Sequence, residues 1–237
     1  LSFTEFALRL TPIALIGLSI IWVVIVLIYK AEFSNEKLST KIEEDYKVFR
    51  PLLIKSTIVL IVMLTAFNLG FPIALSALGG ASLLLITRRI KPERVFIELD
   101  WSLLVFFSGL FIITHTLNEF FISKYFQLNQ GLISGNIIFD VSIVSAVLSN
   151  LVSNVPAVLL ISPALLKLNN ADNLWLALAM SSTFAGNLTL LGSVANLIVA
   201  ESAKRQGIKL EFLEYLKAGI PITLLTLILG IVWLSIF

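Results

Sequence analysis

From Thr11 to Tyr29 the chain carries no charged side chain and very few polar ones. A helix of ~20 such residues matches the ~30 Å hydrocarbon layer of a bilayer. The run is too long for the apolar part of a signal peptide, and neither a basic leader nor a small-residue cleavage site accompanies it. It reads as a membrane span. Full or nearly full spans of the same kind fall at Phe6–Tyr29, Ser56–Leu69, Phe71–Thr87, Trp101–Thr116 and Ala218–Phe237. With 58% hydrophobic and 14% charged residues and a mean hydropathy of +0.98, a soluble chain of this size could not hide its apolar surface from water. The expected class is all-α integral membrane protein, with the lipid bilayer as its first partner. A net charge of +2 gives no reason to expect nucleic acid. Cysteine is absent, which excludes disulfides, thiolate chemistry and Cys-based zinc sites. The chain starts at Leu1 rather than Met and reads as a fragment or a processed product.

The basic residues orient the spans. The connections Lys30–Lys55, Arg88–Asp100 and Glu201–Lys217 hold six, four and four of the 17 Lys and Arg residues. Cytoplasmic loops carry such an excess. The first span then enters from outside and the last leaves the C-terminus outside, in a multi-pass protein of the cell (inner or plasma) membrane. All three loops agree only if Ile137–Leu168 crosses an even number of times, as a re-entrant hairpin does.

Two apolar stretches are interrupted. As one helix, Ile137–Leu168 would run roughly 48 Å at 1.5 Å per residue, well beyond the membrane core. Its middle reads Ser149-Asn150-Leu151-Val152-Ser153-Asn154-Val155-Pro156. Pro156 lacks an amide donor and clashes with the preceding turn, so the helix should break there. Ser153 and Asn154 suit an N-cap, and Pro suits the first turn of the next helix. Two half-helices of ~15 residues, meeting near mid-bilayer, are the simplest outcome. Bare backbone at that depth needs protein or a water-filled cavity beside it.

Leu174–Ala200 contains Ala185-Gly186-Asn187-Leu188-Thr189 and then Gly192-Ser193-Val194-Ala195-Asn196. These small, hydroxyl- and amide-bearing residues allow a local unwinding. Helix N-termini at such breaks attract anions, while freed carbonyls and Ser, Thr or Asn oxygens suit Na⁺. The alternative is that Gly, Ser, Thr and Asn here merely tighten helix packing. The candidate binding residues are Ser149, Ser153, Asn154, Asn187, Thr189, Gly192, Ser193 and Asn196.

At these clusters the sequence resembles the ion transporter superfamily of arsenite permeases, citrate and dicarboxylate carriers and certain sodium/proton antiporters. The residues carrying the likeness are Ser149 to Pro156, Ala185 to Asn196, and a tail with Gly207, Tyr215-Leu216, Gly219 and Pro221. The resemblance implies the second half of an inverted-repeat, elevator-type carrier, usually a homodimer, with one re-entrant helical hairpin and one broken transmembrane helix. It divides the chain into a linking helix (1–30), a cytoplasmic loop (31–55), scaffold helices (56–116), a transport region (117–200, with hairpin 137–168 and broken helix 174–200), a cytoplasmic amphipathic segment (201–217) and a last helix (218–237). It further implies a small anion or Na⁺ as solute and Na⁺ or H⁺ as coupling ion, with no other cofactor. By position, Na⁺ would meet Ser149, Ser153, Asn154, Gly192 and Ser193. Val155 stands where sodium-coupled dicarboxylate carriers have Thr, and Val194-Ala195 replace their paired prolines, which brings the pattern nearer the arsenite-permease branch. The first repeat, which would supply the other half of the site, is absent from this chain.

The remaining ionisable residues leave alternatives. His115, the single histidine, could couple protons or sit at the outer interface. Asp140 could guide cations or cap a half-helix. Asp100-Trp101 reads as a cap with an interfacial anchor, and Phe212, Leu213 and Leu216 suggest an amphipathic helix along the inner surface. An embedded metalloprotease wants two His one turn apart, and a serine hydrolase wants a base near its serine. The sequence offers neither, so no enzyme is expected. A filter loop or ring of charge, as in channels, is also missing.

Overall fold

The computed structural model describes residues 2–31, 49–86, 93, 96–97, 99, 101–117, 136–166, 168, 171–205 and 207–236. Most of the loops expected at Lys30–Lys55 and Arg88–Asp100, including Asp100 and its cap, lie outside the described residues, as do residues 118–135 of the expected transport region.

Every regular element among the described residues is helical: α1 Phe3–Ile28, α2 Arg50–Asn68, α3 Ile73–Leu85, α4 Trp101–Leu117, α5 Ile137–Val152, α6 Asn154–Leu165, α7 Asp172–Ala185, a 3-10 turn at Leu190–Gly192, α8 Val194–Arg205 and α9 Phe212–Ile236. Three of them, α1, α2 and α9, are long and apolar enough to cross a membrane. α3, expected as a near-full span over Phe71–Thr87, has 13 residues, about 20 Å. Pro72 directly precedes it and sets its start. The expected surface helix at Phe212–Leu216 is instead the opening of α9, which runs unbroken into the last span. The charges of Glu214 and Lys217 do not stop it, because they pair one turn apart along its side.

The chain divides into two compact units, Leu1–Leu8 with Asn35–Val105, and Arg9–Ser34 with Phe106–Phe237. In the first, α2 and α3 form an antiparallel pair. Pro51 lies in the first turn of α2, where a missing N–H costs nothing. Gly70 takes φ +84° in the connection, a conformation open to glycine. The bare Cα of Gly80 lets α3 close on Val59 and Met63. The start of α1 joins this unit through Thr4 Oγ1, which donates to Asn68 Oδ1 at 3.0 Å, and through the Phe3–Phe67 rings, 5.4 Å apart.

The second unit holds the larger core. Val141 and Ala146 of α5, Ile161 and Leu165 of α6, Leu174 to Ala185 of α7, Leu227 and Leu234 of α9, and Ile13 of α1 bury one another. α7 is central, touching α5, α6 and α9. Gly230 of α9 lies directly against the Met180 thioether of α7, and Gly17 of α1 faces Phe184 and Thr226. Small residues at these crossings let the helices approach closely, the packing that serves where lipid gives no hydrophobic drive. Outward-facing Leu18, Trp22 and Leu27 of α1 and Leu224 and Ile228 of α9 are exposed, as lipid-facing positions are.

Candidate functional site

Both interruptions read from the sequence are present as local geometry. α5 stops at Val152 and α6 starts at Asn154, with Ser153 between them at φ 76°, ψ 163°. That region of backbone space belongs almost wholly to glycine, and a serine held there carries strain of about 1–3 kcal/mol. Pro156 lies buried in the first turn of α6. Ser153 occupies the N-cap position, but its side chain makes no capping bond. The second interruption runs from Gly186 to Ser193: α7 ends, a turn and one 3-10 turn follow, and α8 begins at Val194. Each break therefore sets the C-terminus of one helix beside the N-terminus of the next.

Side-chain bonds join the two breaks. The fully buried Ser149 Oγ lies 2.6 Å from Asn154 Oδ1 and 2.8 Å from the Ser182 carbonyl oxygen. Asn150 Nδ2 donates to the carbonyls of Ala146 at 3.1 Å and Ala185 at 2.9 Å, while its Oδ1 accepts from Thr189 Oγ1 at 3.3 Å. Asn196 Nδ2 donates to the Gly186 carbonyl at 2.8 Å and reaches that of Thr189 at 3.4 Å. Ser193 Oγ accepts from the Ala195 amide at 3.2 Å. A Cβ on Gly192 would stand 2.8 Å from Asn150 Oδ1, 3.1 Å from the Gly186 carbonyl oxygen and 3.2 Å from Thr189 Oγ1, so three oxygens converge on its bare Cα. Such a set of neutral oxygens has the chemistry to hold a hard monovalent cation. Among the described residues Asn154 Nδ2 has no partner, which leaves a donor at the start of α6.

Ser149, Ser153, Asn154, Thr189, Gly192, Ser193 and Asn196 are thus gathered around the two breaks. Asn187 is not with them. It lines a cavity of about 250 Å³ with Ile21, Ile25, Tyr29, Tyr215 and Ile222, and its carbonyl oxygen faces Gly219 of α9. The side chain that sequence reasoning passed over is Asn150, the bridge between α5 and the unwound segment. The repeated Ser-Asn pair, Ser149-Asn150 and Ser153-Asn154 one turn apart, was the available signal.

The flanking ionisable groups also resolve. Asn136, not Asp140, caps α5, its Oδ1 accepting from the amides of Ile138 at 3.0 Å and Phe139 at 3.3 Å. Asp140 sits within the helix, fully buried, and so is not at an open entrance. His115 is exposed near the end of α4. Behind Ser149, α5 and α7 meet through serines: Ser145 and Ser181 bond to each other, and Ser142 and Ser145 are fully buried.

Comparison with known proteins places this architecture. A citrate transporter family matches residues 1–181, most of the chain. The chain belongs to the citrate transporter family. This is a family of membrane transporters, not enzymes. Its Dictyostelium discoideum relative, named "Putative transporter arsB", is 40% identical over 181 residues, covering 73% of this chain and 32% of its own. A 46 kDa membrane protein of Mycobacterium leprae is 27% identical over 98% of this chain and 59% of its own. The silicon efflux transporter LSI3 of Oryza sativa subsp. japonica is 35% identical over 77% of this chain and 41% of its own. The chain thus spans about a third to three-fifths of the length of these relatives. The family match stops before the second break, whereas the Mycobacterium leprae alignment takes in nearly all of the chain. No solved structure matches it.

Proposed function

We propose that this chain is the solute-binding half of a secondary active transporter that moves a small anion, of arsenite, dicarboxylate or citrate type, by drawing on an ion gradient. The observation that carries the reading is the joining of the two helix breaks by Ser149, which bonds to the Ser182 carbonyl, and by Asn150, which bonds to the Ala185 carbonyl and the Thr189 hydroxyl. Asn154 and Asn196 bond within their own breaks. The N-termini of α6 and α8 both start at the breaks, and the positive ends of their dipoles favour negative charge without any basic side chain. In α8, Ser193 already takes the amides of Ala195, Asn196 and Leu197. The C-termini of α5 and α7, with the oxygens around Gly192, favour a cation. An anion and a coupling Na⁺ can therefore be held side by side, each near the helix ends of the opposite partial charge. H⁺ is the alternative coupling ion.

On this reading α5 and α6 form a hairpin that enters and leaves the bilayer on one side, and the hairpin and the α7–α8 break move together as an elevator. A first repeat supplies the opposite half of the site, the assembly is a homodimer in the cell membrane, and the C-terminus lies outside. Full-length protein in sealed proteoliposomes tests it. Labelled citrate, succinate or arsenite should accumulate saturably when a Na⁺ or pH gradient is imposed, and Asn154→Leu or Asn196→Leu should abolish uptake while the protein still inserts. Unitary currents in place of saturable counterflow, or unchanged kinetics in both variants, would overturn the reading.

A further inference from the structure

The breaks at Ser153 and at Gly186–Ser193 lie on different helices, and among the described residues one side chain bonds to both sides of the gap through more than one atom. Asn150 sits in the last turn of α5. Its Nδ2 reaches across to the Ala185 carbonyl, the last of α7, at 2.9 Å, while also holding the Ala146 carbonyl of its own helix at 3.1 Å. Its Oδ1 takes the Thr189 hydroxyl at 3.3 Å. The same Oδ1 is the atom nearest to where a Gly192 Cβ would stand. One amide group thus meets the end of α7, the unwound turn and the 3-10 turn.

We propose that Asn150 is a positioning residue that locks the unwound segment Gly186–Ser193 onto α5, so that the two breaks form one rigid unit. The proposal rests on the site reading above for its meaning in transport, though its geometry stands alone. An amide is the group the position requires. The Ala185 carbonyl, which already accepts the Leu188 amide at 3.0 Å, takes a second donor on its other lone pair, and the Thr189 hydroxyl needs an acceptor, within a single planar group. Leucine would fill the same volume and supply neither. Serine would fall short of Ala185. Ala146 and Ala185 are buried, so water does not replace the bonds that Asn150 makes to their carbonyls, and the loss exceeds that of an exposed bond. The bare Cα of Gly192 completes the lock, since a side chain there would drive Asn150 out.

Hydrogen exchange on the full-length protein in nanodiscs reads this directly, independently of any transport, so failure of the lock and failure of the transport reading are distinguishable. Asn150→Leu should speed exchange of the amides in 186–196 about tenfold, with those in 138–146 unchanged. Thr189→Val should give a smaller acceleration and add nothing when combined with Asn150→Leu. Asn150→Asp supplies a rescue. The neutral carboxyl keeps a donor and an acceptor in the amide's places, whereas the anion offers no proton and faces the carbonyls of Ala146 and Ala185. Among the described residues, the titratable side chains on the packed helices, Asp140, Asp172, Glu201, Lys204, Arg205, Glu214, Tyr215 and Lys217, lie toward the far ends of their helices or in the first turns of α9, and what bonds Asn150 is carbonyl and hydroxyl oxygen. Relative to wild type at each pH, Asn150→Asp should be protected in acid and lose that protection as pH rises. Exchange in 186–196 that is equal in wild type and Asn150→Leu, or a pH-independent Asn150→Asp, would overturn the lock.

Discussion

A Cβ built on Gly219 would stand 2.6 Å from the Asn187 carbonyl oxygen and 2.7 Å from that of Leu188. Both are backbone atoms and cannot swing aside. Gly219→Ala must therefore push α9 off the unwound segment, at a cost of about 1–3 kcal/mol. Gly79 in α3 is the control: a Cβ there meets nothing within 4 Å, and alanine is the better helix former by roughly 0.5–1 kcal/mol. The expected outcome is a lower Tm for Gly219→Ala in detergent and an unchanged or higher one for Gly79→Ala. Equal shifts would mean that α9 does not bear on the break. Gly219 belongs to the tail that carries the family resemblance and Gly79 does not, but the steric difference between them lies in what another helix brings to Gly219. The same holds for Asn150, whose partners Ala185 and Thr189 are far along the chain, and for Asn187, which has the right chemistry but faces another cavity. Residue types name what can bond. Tertiary contacts decide what does.

The interruptions themselves were legible, because backbone chemistry is local. Pro156 withdraws an amide donor and crowds the turn before it, and α5 ends at Val152, four residues ahead of it. Pro12 and Pro221 sit inside the continuous α1 and α9, so the break takes Ser153 and Asn154 as well as the proline. Gly186, Asn187 and Gly192 mark the second gap in the same way. What the pattern did not show is the conformation of Ser153, at φ 76° without a capping bond, nor that Asn136 rather than Asp140 starts α5. A prediction follows for this element. Ser153→Gly removes the left-handed penalty and should raise the Tm, by an amount set by a strain of about 1–3 kcal/mol less the entropy that glycine loses on folding. Ser153→Val places a β-branched side chain in the same region and should lower it. A Tm that falls for Ser153→Gly would mean that the hydroxyl is held by something that outweighs the strain, and solute or ion binding to it would then be the first thing to measure.

At the scale of the whole molecule, the lengths of the elements constrain how this chain can sit in a bilayer. α5 and α6 have 16 and 12 residues, about 24 and 18 Å, so neither crosses ~30 Å of hydrocarbon alone. α7 and α8, with 14 and 12 residues, are equally short. Placed end to end they would cross once with room for the unwound turn between them. α5 and α6 contact each other and both pack on α7, an arrangement more easily met by a chain that turns back than by one that continues. The loop charges point the same way, because Lys30–Lys55, Arg88–Asp100 and Glu201–Lys217 share one side only if residues 137–168 make no net crossing. Single cysteines are informative here, since the chain has none of its own. With cysteine at Ile137 or at Leu168 in the full-length protein in intact cells, a membrane-impermeant maleimide should label both or neither, and the pattern should invert in inside-out vesicles. Labelling of the two from opposite faces would make Ile137–Leu168 a crossing segment. The break at Ser153 would then be a kink within a span, its exposed amides would need another helix to cover them, and the orientation drawn from the charged loops would fail with it.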